Sequence, residues 1–288
     1  MAVKFFGQYL VEQGTITMDG LRNAVELQEK RNLKLGELAM EMGLISVADI
    51  QLAHNEQMTR DVKLGDLLVD RGLLSPAQLN DLLVRQKNNH LYIGEALIQT
   101  GALTETSLRE HLESFSATQA IYAPTGTRLP ITTGNDPLWE MCLDLTCSMV
   151  TRVLDLKHRP GTCMPITTIH PNHMLAAMEL QGDVTARFII SVSEKLQKTI
   201  ARAMLSEWSV EHEPAEILED TVREFANVIC GNIAAKASQA GVVMDILPPY
   251  TVQVPPAGLP TPDGYGSFIF PIHLEDGDTL ELILLIQE

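Results

Sequence analysis

Two carboxylates and one carboxamide are spaced so that they share one face of a predicted helix, and these residue types bind a partner's cation and orient water. They are Asp220, Glu224 and Asn227, in the segment 213–241. At about 100° per residue, these side chains and Gly231 fall within about 60° of one another. The opposite stripe is apolar and contains Leu218, Val222, Phe225, Ile229 and Ile233. The pattern predicts a helix that packs on one side and presents a polar row on the other.

The polar row also has a purely structural explanation, because the exposed side of any amphipathic helix is polar. A functional explanation gives Gly231 the role of leaving that side unobstructed for a docking protein. A second helix, predicted over 138–156, offers Glu140 but has Leu143 where the first row has its amide. We therefore expect one such polar site per chain.

The elements around the long helix predict an α+β fold, with a layer of helices on an antiparallel sheet. Strands are predicted at 184–193, 265–274 and 278–288, and another helix at 194–208. The last two strands are predicted to form a hairpin, since the residues between them are Glu275, Asp276 and Gly277. A Pro-rich loop at 248–264 precedes that hairpin.

Residues 136–288 resemble the CheC, CheX and FliY family of phosphatases, which act on the phosphorylated chemotaxis response regulator. The spacing of Asp220, Glu224 and Asn227 matches the family's D/S-x-x-x-E-x-x-N signature, and the continuation NVICGN is most similar to CheX. The resemblance implies that Asn227 orients the attacking water, that Glu224 pairs with a lysine of a CheY-like receiver domain, and that Asp220 assists docking. It also implies that Mg²⁺ is bound by the partner, with no cofactor on this chain, and that the protein is a homodimer.

Residues 1–116 repeat a short pattern with a period of 29 residues. Each repeat has a glycine at position 7, 36, 65 or 94 and a second at 14, 43, 72 or 101. A hydroxyl residue follows the second glycine where a helix N-cap is needed. Gln28, Gln57 and Gln86 close three units, and Phe115 closes the fourth. Each unit is predicted to contain a short helix, a glycine stop and a longer helix, and the units must stack to bury their apolar faces. The prediction is an all-α array of four units.

The units resemble the cyclic di-GMP-binding repeats of the MshE N-terminal domain, found at the front of secretion and pilus ATPases, in which two motifs enclose one dinucleotide. The resemblance implies these ligand-binding residues: Lys34, Leu35, Gly36, Gln57, Lys63, Leu64, Gly65 and Gln86. No unit has the family's opening arginine, and two units have lysine in its place. The ammonium group of lysine is a point charge and does not make the paired hydrogen bonds of a guanidinium. Alternatively, the array docks a protein, and each glycine only permits close helix packing.

Composition sets the remaining expectations. The net charge of -16 disfavours a nucleic-acid polymer or an anionic membrane as partner. No segment predicts a signal peptide or a membrane span, so we expect a cytoplasmic protein. The four cysteines show no paired spacing, and Cys163, His170 and His173 match no common zinc pattern, so no metal site is expected.

The predicted domains are a helical repeat domain at 1–116, a linker at 117–136 and a CheX-like domain at 137–288.

These patterns support two hypotheses of different kinds. In the first, the protein dephosphorylates a receiver domain, and the repeats bind cyclic di-GMP or a protein partner as a regulatory input. In the second, the protein is a non-catalytic adaptor or cyclic di-GMP effector that docks a receiver domain or a secretion or pilus component.

Overall fold

A computed structural model describes residues 5–119, 136–205, 207 and 209–287. The chain divides into two compact units, Met1–Ala123 and Pro124–Glu288. Most of the linker predicted at 117–136 lies outside the described residues. Its first three residues are helical, because they end the helix Glu105–Gln119, and its last residue begins the helix Asp136–Leu154.

The described part of the N-terminal unit is helical throughout, with short and longer helices in alternation. The helices are α1 (Phe6–Glu12), α2 (Met18–Arg31), α3 (Leu35–Glu41), α4 (Val47–Thr59), α5 (Leu64–Asp70), α6 (Pro76–Asn88), α7 (Ile93–Gln99) and α8 (Glu105–Gln119). After each short helix a glycine adopts φ between 67° and 73°, at positions 14, 43, 72 and 101. The hydroxyls of Thr17, Ser46 and Ser75 then accept hydrogen bonds from backbone N–H groups at the start of the longer helices. The predicted order of short helix, glycine stop and capped longer helix is confirmed.

Among the described residues, the buried side chains of the N-terminal unit join the four units in two pairs. One buried cluster joins the first and fourth units and includes Leu10 and Leu97. A separate cluster joins the second and third units and includes Leu38 and Leu67.

The C-terminal unit combines three described helices with an antiparallel sheet. The helices are α9 (Asp136–Leu154), α10 (Glu194–Leu205) and α11 (Ala215–Gln239). The strands are β1 (His158–Pro160), β2 (Met164–Pro165), β3 (Thr168–Ile169), β4 (Met174–Gly182), β5 (Ala186–Val192), β6 (Met244–Ile246), β7 (Tyr250–Thr251), β8 (Leu259–Pro260), β9 (Tyr265–Leu274) and β10 (Thr279–Gln287). The main sheet has the order β1-β9-β10-β5-β4-β6, with β2 paired to β9 and β7 to β4, while β3 and β8 pair separately.

The helices cover one face of this sheet. Alternate residues of β4, β5, β9 and β10, such as Phe188 and Leu282, join α9, α10 and α11 in one large core. The intervening residues, such as Ile189 and Ile283, form a smaller cluster on the other face with residues of the 248–264 loop. The predicted fold class is therefore confirmed: an all-α N-terminal region and an α+β C-terminal region with helices on an antiparallel sheet.

Candidate functional site

The long helix α11 presents its polar row away from the core. Its predicted apolar stripe is buried, with Val222, Phe225, Ile229 and Ile233 at 0% exposure and Leu218 at 9%. On the opposite side Asp220 and Glu224 are exposed, and Asn227 and Gly231 are partly exposed. The same packing that buries the stripe against the sheet therefore holds the polar row toward solvent.

The amide of Asn227 is oriented by its neighbour one turn earlier. Its Nδ2 donates a hydrogen bond to Oε2 of Glu224 across 3.3 Å. Because a carboxylate only accepts hydrogen bonds, this contact directs the amide nitrogen toward Glu224 and leaves the amide oxygen as the acceptor for a water molecule. The pair thus combines a carboxylate that attracts cations with a neutral group that orients water.

Asp220 has an ionic partner on its own helix that the sequence analysis missed. The guanidinium of Arg223 donates to Oδ1 of Asp220, and it also donates to Oγ1 of Thr251 at 3.1 Å. Opposite charges three residues apart on a helix are neighbours, so the spacing of Asp220 and Arg223 was the available signal. Arg223 therefore neutralises part of the negative charge of Asp220, the residue predicted to assist docking.

Two further features define the extent of the polar row. A Cβ atom added to Gly231 would meet no other atom within 4 Å, so the helix surface is open at this turn. In α9, by contrast, Leu143 is only 1% exposed and packs in the core. The structure thus places a buried apolar side chain three residues after Glu140, where a second site would need an amide.

Cys163 and His173 are two of the residues that were weighed as metal ligands, and the structure describes their surroundings. Burial raises the pKa of the Cys163 thiol to about 12, so this side chain is protonated at neutral pH. Nε2 of His173 lies 2.8 Å from Oε1 of Gln197. Within the described ranges, no group of three or more His, Cys, Asp or Glu side chains could hold a metal ion. No helix within these described ranges is long and apolar enough to span a bilayer.

In the N-terminal unit, the two KLG segments face each other across the pair formed by the second and third units. Lys34 and Lys63 are exposed at the N-termini of α3 and α5. A Cβ atom on Gly65 would lie 3.1 Å from Cδ2 of Leu35, and one on Gly36 would lie 3.6 Å from Cδ2 of Leu64. These reciprocal contacts bring six of the predicted ligand-binding residues to one place.

The same two glycines are also required for packing inside their own units. A Cβ atom on Gly36 would lie 2.8 Å from Cδ1 of Ile50, and one on Gly65 would lie 2.6 Å from Cδ1 of Leu79. Both glycines are buried. Close helix packing is therefore a sufficient reason for glycine at these positions.

The closing glutamines hold the unit pairs together. Nε2 of Gln57 donates to the carbonyl of Val62 at 2.8 Å, and Nε2 of Gln86 donates to the carbonyl of Leu33 at 3.0 Å. Each of these carbonyls belongs to the residue before the KLG segment of the partner unit. The amide nitrogens of both predicted ligand residues are thus committed to the backbone.

Comparisons with known proteins identify one part of the chain. Residues 174–273 match the family described as chemotaxis phosphatase CheX, a range that contains α11 and its polar row. A comparison with curated proteins finds no match.

Several solved structures are similar to about half of the chain. A chemotaxis protein CheX from Desulfovibrio desulfuricans is 12% identical, with 52% of this chain and 99% of that chain covered and a TM-score of 0.46. The CheX-CheY-BeF3-Mg complex from Borrelia burgdorferi is 23% identical, with 52% and 98% covered and a TM-score of 0.45. FliY from Thermotoga maritima is 17% identical, with 55% and 92% covered and a TM-score of 0.41. From the family match, we conclude that the C-terminal unit of this chain carries a CheX-like domain.

Proposed function

We propose that the C-terminal unit removes the phosphoryl group from the aspartyl phosphate of a CheY-like receiver domain. The observation that carries the proposal is the outward-facing amide of Asn227, hydrogen-bonded to Glu224 on the solvent side of α11. The match of residues 174–273 to a chemotaxis phosphatase family supports the same reaction.

The proposed reaction is an in-line hydrolysis. The amide oxygen of Asn227 accepts a hydrogen bond from a water molecule and holds its oxygen opposite the scissile P–O bond. The water oxygen bonds to phosphorus, the bond from phosphorus to the aspartyl oxygen breaks, and the water protons leave on the phosphate. Asn227 is suited to this position because a neutral amide does not repel the phosphoryl oxygens.

Glu224 would bind the partner rather than the water. Its exposed carboxylate can pair with a lysine of the receiver domain, which fixes the register of the two proteins. Mg²⁺ bound by the receiver would neutralise charge on the phosphoryl group, as is usual in phosphoryl transfer. The open surface at Gly231 leaves room for the docked partner.

The first prediction tests this assignment through the rate of phosphate loss. Purified protein added to a phosphorylated receiver domain should accelerate dephosphorylation, and Asn227→Ala should lower kcat about 100-fold, because it removes the group that positions the water. The matched control is Gln239→Ala, which removes another exposed amide from the last turn of the same helix. Unchanged rates in Asn227→Ala and Glu224→Ala would contradict the roles given to these residues. A wild-type protein that binds the receiver without accelerating phosphate loss would favour the adaptor hypothesis.

We further propose that the pair formed by the second and third units binds cyclic di-GMP. The favouring observation is the close approach of the two KLG segments. Lys34 and Lys63 are both exposed and belong to these segments. A dinucleotide with two phosphates offers one anion to each lysine. The pair formed by the first and fourth units has Phe5 and Tyr92 at the equivalent positions and lacks these cations.

The second prediction concerns this ligand. In calorimetric titrations the double variant Lys34→Gln/Lys63→Gln should bind cyclic di-GMP at least about tenfold more weakly than the wild type, because two charge-assisted contacts are lost. The control is Lys30→Gln/Lys87→Gln, which removes the same charge from the ends of α2 and α6. Equal weakening in both double variants would indicate a general charge effect. If the wild type binds no nucleotide, the array is better explained as a docking module for a protein such as a secretion or pilus component.

A further inference from the structure

A cleft with polar walls lies beside the start of α11. Its volume is about 440 Å³. The beginnings of α10 and α11, the approach to β4 and the segment from β7 onward form its walls. Polar side chains lining it include Asn172, Gln197, Lys198, Glu219, Thr251 and Gln253.

Most of the charged and buried groups around this cleft already have partners. Nζ of Lys198 lies 2.6 Å from Oε1 of Glu194, so these two charges offset each other. Gln197 is 4% exposed, and its amide contacts His173 at 2.8 Å and the sulfur of Met174 at 3.4 Å. These contacts hold the side chains of this wall in place.

Glu219 differs from the other carboxylates near the cleft. Its ion pair with Arg223 spans 4.0 Å, whereas Arg223 donates directly to Asp220 and to Thr251. The guanidinium therefore neutralises Asp220 first, and the cleft retains one carboxylate in excess. With its side chain 44% exposed, Glu219 is accessible to a partner.

We propose that Glu219 is a specificity-determining residue that binds a lysine or arginine side chain of the receiver domain inserted into this cleft. The inference rests on the proposed function, because it takes the receiver as the protein that docks on the polar row of α11. Arg223 donates both to Asp220 of that row and to Thr251, which lines the cleft, so the docking surface continues from the row into the cleft. The carboxylate of Glu219 and the amide of Gln253 supply the oxygen acceptors that a cationic head group requires.

The third prediction is a change in substrate recognition without a change in chemistry. Glu219→Gln should raise KM for the phosphorylated receiver about three- to tenfold and leave kcat unchanged, because it removes one interfacial ion pair and no group at the phosphorus. Glu219→Gln should also flatten the dependence of KM on salt concentration. The matched control is Glu216→Gln, which removes an exposed carboxylate three residues earlier that does not line the cleft. Equal effects of both variants on KM, or no effect of Glu219→Gln, would overturn the proposal.

Binding of a stable phosphoryl analogue separates this proposal from the catalytic one. Receiver domains of the source organism, loaded with Mg²⁺ and beryllofluoride, are titrated with wild type, Glu219→Gln and Glu216→Gln. Selective weakening by Glu219→Gln supports the cleft even if no phosphatase activity is found. If no receiver domain binds, the cleft proposal is overturned. Finally, Glu219→Lys should be rescued by a receiver in which one surface lysine is replaced by glutamate, an outcome that a merely structural role of Glu219 does not produce.

Discussion

Two glycines of this protein have opposite surroundings, one open and one tightly packed. Glycine therefore affects stability differently at the two positions. Gly231 lies in the middle of α11 with open space where a Cβ atom would be. Gly65 lies in the first turn of α5, where a Cβ atom would meet Leu79 at 2.6 Å and Leu35 at 3.1 Å. A helical glycine in open space only costs backbone entropy, whereas a glycine between two leucines determines how closely two helices approach.

The fourth prediction compares alanine at these two positions. Gly231→Ala should raise the free energy of unfolding by about 0.5–1 kcal/mol, because alanine favours a helix and nothing obstructs its methyl group. Gly65→Ala should lower it by about 1 kcal/mol, since both leucines must shift to admit the methyl group. Urea denaturation of the full chain measures both effects. A destabilising Gly231→Ala would contradict the open surface assigned to the docking face.

At the scale of elements, the sequence predicted best those helices that carry their own start and stop signals. In the N-terminal unit a hydroxyl cap begins each longer helix, and a glycine with positive φ ends each short one. These signals are local, so a single sequence contains them in full. The burial of one face of α11 was predictable for a related reason, because its apolar spacing follows the helical period.

The sequence predicted less well the elements that depend on distant partners. β4 was not predicted, because six of its first seven residues are buried and its sequence therefore lacks the alternation of a half-exposed strand. The pairing of the first unit with the fourth was also missed. Its one sequence signal was Phe115, which stands where the other units have glutamine and packs edge-on against Phe6 at 5.3 Å. An aromatic contact here takes the place of the hydrogen bond from glutamine to backbone.

The sequence predicted which residues form the candidate site, but it missed part of the electrostatics of that site. The spacing of Glu224 and Asn227 alone indicated that they share a face, and the structure places them in contact at 3.3 Å. The role predicted for Asp220 did not take account of Arg223, and no sequence pattern distinguished Glu219 from the other carboxylates of the helix. Helix periodicity predicts which side chains are neighbours, but ion pairs between neighbours depend on rotamers and on residues brought from other elements, such as Thr251.

At the scale of the whole molecule, the two units have separate cores. Among the described residues, each buried cluster draws its members from one unit only. The polar row of α11, the cleft beside it and the sheet that supports them all belong to the C-terminal unit. A unit with its own core is expected to fold without its neighbour.

The fifth prediction follows from this separation. A fragment of residues 124–288 should fold alone and dephosphorylate the receiver with the kcat of the full chain, because every residue assigned to the reaction and its supporting core is retained. Circular dichroism and cooperative thermal unfolding check the fold, and the fragment carrying Asn227→Ala is the inactive control. Cyclic di-GMP should leave the rate of the fragment unchanged, so any response of the full chain is attributable to residues 1–123. A well-folded fragment without activity would mean that the N-terminal unit itself contributes to catalysis. The assignment of regulation to one unit and catalysis to the other would then be wrong.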